Sequence, residues 1–418
     1  MDEPPLTFLD DGEDDNDADA RPGPGPVEDD APLLIDDSDR YSRLRLIPWW
    51  RQERLAEARV LVVGAGALGN EVLKNLALLG VGTVIVIDLD AVEPSNLSRS
   101  VLFRAEDGGQ PKAEVAARRA GEINPEVAFH PIRGDVITDL GLGLFADVDV
   151  VIGCLDNREA RLWVNRQCWK VGTPWVDSGI QEIQGVVKVF VPPDSACYEC
   201  AMTARDYQLL NVRYSCPLLR RDQILEGKVP TAPTIASMMA ALEVQEALKL
   251  IHGLPVAAGS ALVFNGVTNQ FYSTKLPFRE DCLSHETYPE PEAAPLGNAA
   301  TVADLFAFAE AGKTLGGPLT LALERDLVTT IHCPRCDGRV DVFRPRTKVA
   351  MAEAICPTCR EPGHPEILNA IEEGSPLASC SLAKLGIPPY DIVRVDGPEA
   401  SGFFLLAADR AASFGRQE

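Results

Sequence analysis

A glycine-rich turn between an apolar stretch and an amphipathic stretch constrains this chain more than any other feature. Residues 64–69 (GAGALG) follow the apolar residues 60–63 and open the amphipathic residues 71–77. This order predicts a buried strand, a tight turn and a helix whose first amide groups face a phosphate. Asp88 ends a second apolar stretch, residues 84–87, at the distance where an acidic side chain binds a ribose hydroxyl. We therefore predict a doubly wound, Rossmann-like α/β domain that binds a nucleotide.

Charged residues beyond the turn separate two kinds of nucleotide-binding protein. An NAD-binding domain explains the turn and Asp88 equally well. Cleavage of ATP between its α- and β-phosphates needs cations on the phosphates and a carboxylate for magnesium, because its catalysis is mostly positioning and charge neutralisation. Arg99, Lys112 and Asp156 can supply these groups, whereas a dehydrogenase needs a proton-transfer residue at the nicotinamide instead. The alternative is that Arg99 and Lys112 are solvated surface charges and that Asp156 caps a helix.

From about residue 40 to residue 278 the chain resembles the family of the thiamine and molybdopterin adenylyltransferases and of the catalytic subunits of ubiquitin-type activating enzymes. The resemblance rests on motifs in order: residues 40–43 (RYSR), 64–69, Asp88, 96–99 (NLSR), Lys112 and 154–157 (CLDN). The nucleotide site that it implies comprises Gly64, Gly66 and Gly69 along the nucleotide, Asp88 on the ribose, Asn96, Arg99 and Lys112 on the phosphates, and Asp156 on magnesium. It also implies that Arg43 reaches into a neighbouring protomer's site, which requires a homodimer.

Composition fits a cytoplasmic enzyme. The 418 residues have room for two domains or more, and no secretory signal or apolar run of membrane-spanning length is present. Of the formal charge of −23, residues 1–38 contribute fourteen acidic side chains against one arginine. We expect this acidic segment to be a disordered tail, either a solvated terminus or a docking arm for a basic partner. The acidity argues against binding to nucleic acid, and we expect no membrane contact.

Two pairs of cysteines near the C-terminus have the spacing of a zinc ribbon. Cys333 and Cys336 form one Cys-x-x-Cys knuckle, and Cys356 and Cys359 form a second one after nineteen intervening residues. Two such turns can meet around a tetrahedral zinc ion. The alternative, a redox dithiol or a disulfide, is disfavoured in a reducing cytosol.

A second zinc site is expected from Cys197, Cys200, Cys282 and His285. Relatives usually have a second cysteine pair at the place of residues 282–285, and here His285 would be the fourth ligand. Three cysteines and one histidine form an ordinary structural zinc shell. The alternative is a set of unliganded cysteines beside a surface histidine.

Among the other cysteines, Cys216 is the candidate nucleophile. It lies in a polar stretch with Arg213, Arg220 and Arg221 nearby, and neighbouring positive charge lowers the pKa of a thiol. The resemblance places the thioester-forming cysteine on a loop before the helix expected at residues 234–251, where Cys216 stands. Pro217 follows it where many relatives have threonine, and the alternative is an unreactive loop thiol. Cys154 and Cys168 are expected to be core residues.

The sequence predicts four segments. These are the tail at 1–38, an adenylation domain with the catalytic-cysteine loop at 39–287, a Pro-rich linker at 288–298, and an α+β domain at 299–418. The order of apolar stretches in the last segment resembles the ubiquitin-fold domain that recruits a conjugating enzyme, here with the zinc ribbon inserted at about 330–362. An unrelated zinc-stabilised α+β module is the alternative.

The function that these expectations support is ATP-dependent activation of a ubiquitin-like protein, with ATP, Mg²⁺ and Zn²⁺ as cofactors. The carboxylate of the modifier would attack the α-phosphate, and Cys216 would take the acyl group and pass it to a conjugating enzyme. One alternative is an adenylyltransferase for sulfur transfer to a ubiquitin-like sulfur carrier. Another is a noncatalytic scaffold partner of a second activating subunit, although a scaffold has no physical need for Arg99, Lys112 and Asp156.

Overall fold

The computed structural model describes residues 38–207, 230–312 and 315–414. They belong to two units, one within residues 1–50 and a larger one from Arg51 onward. In the first unit, Arg43 directly precedes the short 3-10 helix Leu44–Leu46. The described α-helices and β-strands belong to the larger unit. The acidic segment predicted to be a disordered tail lies outside the described residues except for Ser38.

The first half of the larger unit is built on an eight-stranded mixed sheet. Its strands are β1 (Arg59–Val63), β2 (Thr83–Asp88), β3 (Ala128–Arg133), β4 (Val150–Gly153), β5 (Trp175–Gln181), β6 (Gln184–Phe190), β7 (Ser260–Asn265) and β8 (Gln270–Lys275). They follow the spatial order β3-β2-β1-β4-β5-β6-β7-β8. Strands β1 to β5 pair in parallel, and β6 to β8 extend the sheet antiparallel. The order 3-2-1-4-5 is that of a doubly wound sheet, which confirms the Rossmann-like prediction.

Six α-helices accompany this sheet within the described ranges. They are α1 (Gln52–Glu57), α2 (Ala67–Leu79), α3 (Lys112–Ile123), α4 (Leu142–Ala146), α5 (Arg158–Val171) and α6 (Pro233–His252). Helices α2, α5 and α6 each end at a glycine in the left-handed conformation, because a residue without Cβ adopts it without strain. Strand β4 is buried at every position, as expected for a parallel strand covered on both faces. Among the described helices, none combines the length and the apolar character needed to cross a lipid bilayer.

A second sheet with its own core forms the C-terminal part of the larger unit. Its strands are β9 (Glu292–Ala294), β10 (Thr320–His332), β11 (Arg339–Pro345), β12 (His364–Glu372), β13 (Ile392–Asp396) and β14 (Ser401–Leu406), with the helices α7 (Val302–Gly312) and α8 (Arg410–Ser413). The order is β11-β10-β13-β14-β9, and β12 also pairs with β10. Strand β9 pairs in parallel with β14, so the range predicted as a linker contains a strand of this sheet.

A buried ion pair joins the two sheets. Arg325 on β10 donates from Nη1 to Asp391 Oδ2 at 3.0 Å and from Nη2 to the Leu140 carbonyl at 3.1 Å, and its Nε donates to the Ile137 carbonyl. The second oxygen of Asp391 accepts from the Leu142 amide at 2.7 Å. Residues 137–142 lead into α4 of the first half, so one arginine and one aspartate satisfy backbone groups on both sides of the interface. This arrangement fastens the C-terminal sheet to the first.

Arg325→Met is expected to lower the free energy of unfolding by about 3–5 kcal/mol, because it leaves the Asp391 carboxylate buried without its cation. The matched control is Arg394→Met on β13, whose partner Asp396 accepts at 2.7 Å on a partly exposed surface. A surface pair contributes about 1 kcal/mol or less. Denaturant unfolding of both variants measures the difference, and equal effects would contradict the role of the buried pair.

Candidate active site

The glycine turn and the Asp156 loop leave the sheet side by side. Strands β1 and β4 are neighbours, with Val63 paired to Gly153, and the Cys154 amide donates to the Val63 carbonyl at 2.8 Å. At this point the strand order reverses direction. Ligands of doubly wound sheets bind beyond the carboxyl ends of the strands at such a switch point. The fold therefore brings together two loops that are 90 residues apart in the sequence.

The three glycines of the turn are needed for different reasons. Gly64 has a φ of +103°, and a Cβ on it would lie 2.4 Å from the Cys154 carbonyl oxygen. A Cβ on Gly69 would lie 2.0 Å from the carbonyl oxygen of Gly64. Gly66, the N-cap of α2, has no protein atom within 4 Å of the place of a Cβ and makes no side-chain cap. The first and third glycines are thus required by packing, whereas the second opens space at the helix N-terminus for a ligand.

Two side chains, Asp88 and Asn70, hold the glycine turn through hydrogen bonds to its backbone. Asp88 accepts from the Ala65 amide at 2.7 Å with one carboxylate oxygen and from the Asp90 amide at 2.8 Å with the other. Burial raises the pKa of Asp88 above its usual value, and the nearby charge of Lys112 opposes that shift. Asn70, which is completely buried, donates to the Ala65 carbonyl at 2.7 Å and accepts from the Leu102 amide at 2.9 Å. Asn70 is absent from the predicted site residues, although a polar residue on the apolar face of a helix was its signal.

The chain from the end of β2 to the first residue of α3 carries the three predicted phosphate ligands. Asn96 is buried and accepts from the Glu93 amide at 2.9 Å. Lys112 is the first residue of α3, and its ammonium group forms an ion pair with Asp90 at 2.8 Å. Arg99 donates to the Ser95 carbonyl at 3.2 Å, and among the described residues no carboxylate lies within ion-pair distance of it. Lys112 is 13% exposed, which disfavours the view that it is only a solvated surface charge.

Asp156 does not cap a helix. The N-cap of α5 is Asn157, whose side-chain oxygen accepts from the Ala160 amide at 2.8 Å. The carboxylate of Asp156 is exposed and accepts from Asn157 Nδ2 at 3.3 Å. The alternative interpretation of Asp156 as a cap is therefore wrong, because the next residue performs that role.

Cys168 is a core residue, as predicted, whereas Cys154 is half-buried just after β4 and belongs to none of the described core clusters. The thiol of Cys168 is buried in the first core, and burial raises its pKa well above the ordinary value. The pKa of the Cys154 thiol is also raised well above that value, first by burial and then by the charges of Glu243 and Asp177. A thiol with a raised pKa is a poor nucleophile.

The structure brings Cys197, Cys200, Cys282 and His285 together. Cys197 Sγ lies 3.7 Å from Cys200 Sγ and 3.6 Å from Cys282 Sγ, and Cys200 Sγ lies 3.4 Å from His285 Nε2. Zinc–sulfur bonds of about 2.3 Å in a tetrahedron place sulfur atoms about 3.8 Å apart. The ring of His285 stacks on Trp169 at 5.3 Å, which holds its position. The donor set and its spacing fit a structural zinc ion.

The four cysteines of the predicted ribbon also converge. Sγ atoms of Cys333 and Cys359 are 3.4 Å apart, and those of Cys336 and Cys356 are 3.5 Å apart. A disulfide needs about 2.05 Å, so these thiols are not oxidised pairs. Backbone amides of Cys359 and Thr358 lower the pKa of Cys356 to about 6. A thiolate at neutral pH is the form that binds zinc.

Two predicted catalytic residues cannot be placed against this geometry. Cys216 lies outside the described residues. Arg43 belongs to the separate unit within residues 1–50. Their roles stay predictions.

Comparison with known proteins decides the family. A model of the ThiF family matches residues 39–284, more than half of the chain. The chain belongs to the ThiF family. This confirms the resemblance to adenylating enzymes of the E1 type.

Three curated relatives show the breadth of this ThiF-family chain's similarity. Sulfur carrier protein ThiS adenylyltransferase of Escherichia coli strain K12 is 30% identical, over 58% of this chain and 93% of that protein. Ubiquitin-like modifier-activating enzyme 5 of Dictyostelium discoideum is 28% identical, over 59% of this chain and 67% of that protein. SUMO-activating enzyme subunit uba-2 of Caenorhabditis elegans is 38% identical, over 37% of this chain and 27% of that protein. The chain thus spans only about a quarter of the SUMO-activating subunit.

A solved structure shares the fold of the ThiF region. The crystal structure of Escherichia coli MccB with ATP superposes with a TM-score of 0.50 at 25% identity, over 60% of this chain and 74% of that chain. The family match ends at residue 284, before strand β9. The second sheet therefore lies beyond the region that defines the family.

Gly66→Ala and Gly69→Ala are expected to change different properties. Gly66→Ala should weaken ATP binding, whereas Gly69→Ala should lower folding stability. A methyl group on Gly66 enters open space, so the melting temperature stays unchanged while ATP binds about tenfold or more weakly through lost phosphate contacts. A methyl group on Gly69 collides with backbone and costs about 1–3 kcal/mol of folding stability. Thermal unfolding and calorimetric ATP titration of the two variants test this. ATP affinity unchanged in Gly66→Ala would contradict a phosphate site at the turn.

Proposed function

We propose that the protein activates a ubiquitin-like protein with ATP and holds it as a thioester on Cys216. The observation that carries the adenylation step is the ThiF-family match over residues 39–284, which contain the glycine turn and the candidate residues Arg99, Lys112 and Asp156. A carboxylate oxygen of the modifier's C-terminus attacks the α-phosphorus, and the bond to pyrophosphate breaks. The Cys216 thiolate then attacks the acyl carbon of the adenylate, and AMP leaves. A conjugating-enzyme cysteine takes the acyl group by the same exchange.

The nucleotide would lie across the loops after β1, β2 and β4. The open space at Gly66 and the N-terminus of α2 would receive phosphate, because helix N-termini favour anions. Asp88 has both carboxylate oxygens next to the turn, and their remaining lone pairs are available to the ribose hydroxyls. Asn96, Arg99 and Lys112 would contact phosphates, and Asp156 would hold magnesium. When bound, magnesium supplies charge neutralisation on the phosphates.

Two parts of the proposal rest on residues that are not seen in the site. Arg43 belongs to the first unit, and Cys216 lies outside the described residues. Arg43 would complete the phosphate site of a neighbouring protomer, in a homodimer. Cys216 precedes α6 in the sequence, with three arginines within five residues of it, and positive charge favours the thiolate that attacks the adenylate.

A second candidate is adenylation of a sulfur carrier protein, with the adenylate passed to a sulfur donor. The observation that favours it is the match to the ThiS adenylyltransferase over 93% of that protein. The same site residues would catalyse the adenylation, so the two candidates differ only after pyrophosphate leaves. The fate of the acyl adenylate separates them.

The test is incubation with Mg²⁺, ATP and candidate ubiquitin-like proteins, followed by a non-reducing gel and measurement of AMP. The expected result is a thiol-sensitive adduct in the wild type that Cys216→Ala loses and that Cys380→Ala, a matched control, retains. AMP release without an adduct in any variant would favour the sulfur-carrier candidate. Absence of ATP–pyrophosphate exchange with every carrier would contradict both candidates.

The second sheet and its helices, from β9 to α8, form what we call the C-terminal body. It would recruit the conjugating enzyme. A mixed sheet with the parallel pair β9 and β14 packs against one helix, α7, through Leu305 and Phe306. This arrangement supports the ubiquitin-fold-like prediction, and β10 and β11 extend from it to carry the zinc ribbon. Among the side chains that the structure describes, the core beside the ribbon has four buried residues, Val328, Ile331, Val349 and Ala354. So small a core needs a further source of stability, which zinc would provide.

Elemental analysis of the purified protein is expected to find two zinc ions per chain. Cys356→Ser removes a ligand of the ribbon and should leave one zinc, with loss of folding around residues 330–362 but retained ATP–pyrophosphate exchange. Cys200→Ser should also leave one zinc, while the ribbon stays folded. Hydrogen exchange locates the change in each variant. One zinc or none in the wild type would contradict the two-site prediction.

A further inference from the structure

Arg161 lies directly behind the loop that carries Asp156. It is one turn into α5, and its side chain is 14% exposed. Its Nη2 donates to the Leu155 carbonyl at 2.5 Å and to the Ser178 carbonyl at 2.9 Å, and its Nε donates to Asp177 Oδ1 at 2.8 Å. One guanidinium therefore joins the residue before Asp156 to the neighbouring strand β5.

Among the described residues, one acidic side chain, Asp177, forms an ion pair with Arg161, and the charge of Asp156 also lies near enough to help raise the pKa of Arg161. Asp177 is 1% exposed, and its second oxygen lies 3.7 Å from the Lys188 ammonium group. Glu243 on α6 is fully buried, and within the described residues its two oxygens have no hydrogen-bond partner. Burial, followed by the charge of Asp177, raises the pKa of Glu243 well above its usual value, which favours the neutral acid. Asp177 is thus the carboxylate that faces and orients Arg161.

Asp156 is held through the residues on both sides of it, and its own carboxylate accepts one long hydrogen bond, from Asn157 Nδ2 at 3.3 Å. Arg161 binds the carbonyl of Leu155, which precedes it, and Asn157, which follows it, is fixed as the cap of α5. Among the described residues, no cation forms an ion pair with the exposed Asp156 carboxylate. The backbone on either side is therefore fixed while the carboxylate stays available to a ligand.

We propose that Arg161 is a positioning residue for Asp156 as a magnesium ligand, and that Asp177 sets the orientation of Arg161. The inference rests on the proposed adenylation reaction. Groups that orient a metal ligand act through its backbone or its free atoms and affect metal affinity about 10–100-fold. Lysine cannot replace Arg161, because a single ammonium group cannot reach two carbonyls and a carboxylate in the planar arrangement of a guanidinium.

Arg161→Lys tests the proposal, with Arg158→Lys as its matched control on the same helix. Arg158 is half exposed and pairs with Asp206 at 3.3 Å. Calorimetry measures the affinity for α,β-methylene ATP, which cannot be cleaved, with and without Mg²⁺. We expect Mg²⁺ to strengthen binding to the wild type and to Arg158→Lys, and this gain to fall about tenfold or more in Arg161→Lys while the Mg²⁺-free affinity is kept. An unchanged gain in a folded Arg161→Lys protein overturns the proposal.

Asp156→Asn separates this inference from the proposed function. If it loses the magnesium gain and Arg161→Lys keeps it, the positioning role fails and the magnesium site stands. If Asp156→Asn keeps the gain, the magnesium role of Asp156 in the proposed function is wrong. Should Arg161→Lys not fold, Asp177→Asn tests the same contact, because it keeps the shape and an acceptor oxygen but removes the charge. A full magnesium gain in Asp177→Asn would then overturn the proposal.

Discussion

The parallel pairing of β1 with β4 is the contact on which the candidate site depends. It places the glycine turn and the Asp156 loop at one edge of the sheet, with Gly64 so close to the Cys154 carbonyl that no side chain fits between them. A shift of one strand by one residue along the other would turn every side chain of the shifted strand to the opposite face of the sheet. The backbone pairing of the sheet therefore sets the positions of the two loops, and the polar side chains make smaller adjustments to them.

Buried polar contacts then hold the loops that the ladder brings together. Asn70 and Asp88 fasten the glycine turn, and Arg161 fastens the backbone before Asp156. Each of these side chains also joins its loop to a second segment, because Asn70 binds the Leu102 amide, Asp88 comes from the end of β2, and Arg161 binds the Ser178 carbonyl on β5. In a low-dielectric interior such contacts are strong, and a missing partner is costly. The loops at the switch point are thus ordered by the protein before any ligand contributes.

A comparable buried contact, the ion pair of Arg325 with Asp391, joins the C-terminal sheet to the first sheet. Separation of the two sheets would leave Arg325 and Asp391, both nearly inaccessible to solvent, without their partners. Tyr390 strengthens the same junction, since its hydroxyl donates to Asp147 at 3.0 Å and its carbonyl accepts from the Gly143 amide. The C-terminal body is therefore held in a defined orientation relative to the nucleotide-binding sheet, which a partner bound to it would share.

The sequence by itself determined the features whose signal is local. The strand, turn and helix around residues 60–79, helix α6, strands β13 and β14, and the two cysteine knuckles follow from periodicity, glycine and short spacing. Only the tertiary structure decided that Asn157 rather than Asp156 caps α5, that β9 lies within the expected linker, and that Arg161 pairs with Asp177 and Arg325 with Asp391. The physical reason is that periodicity records which face of an element is buried, whereas the partner of a buried charge depends on which distant strand the fold places opposite it.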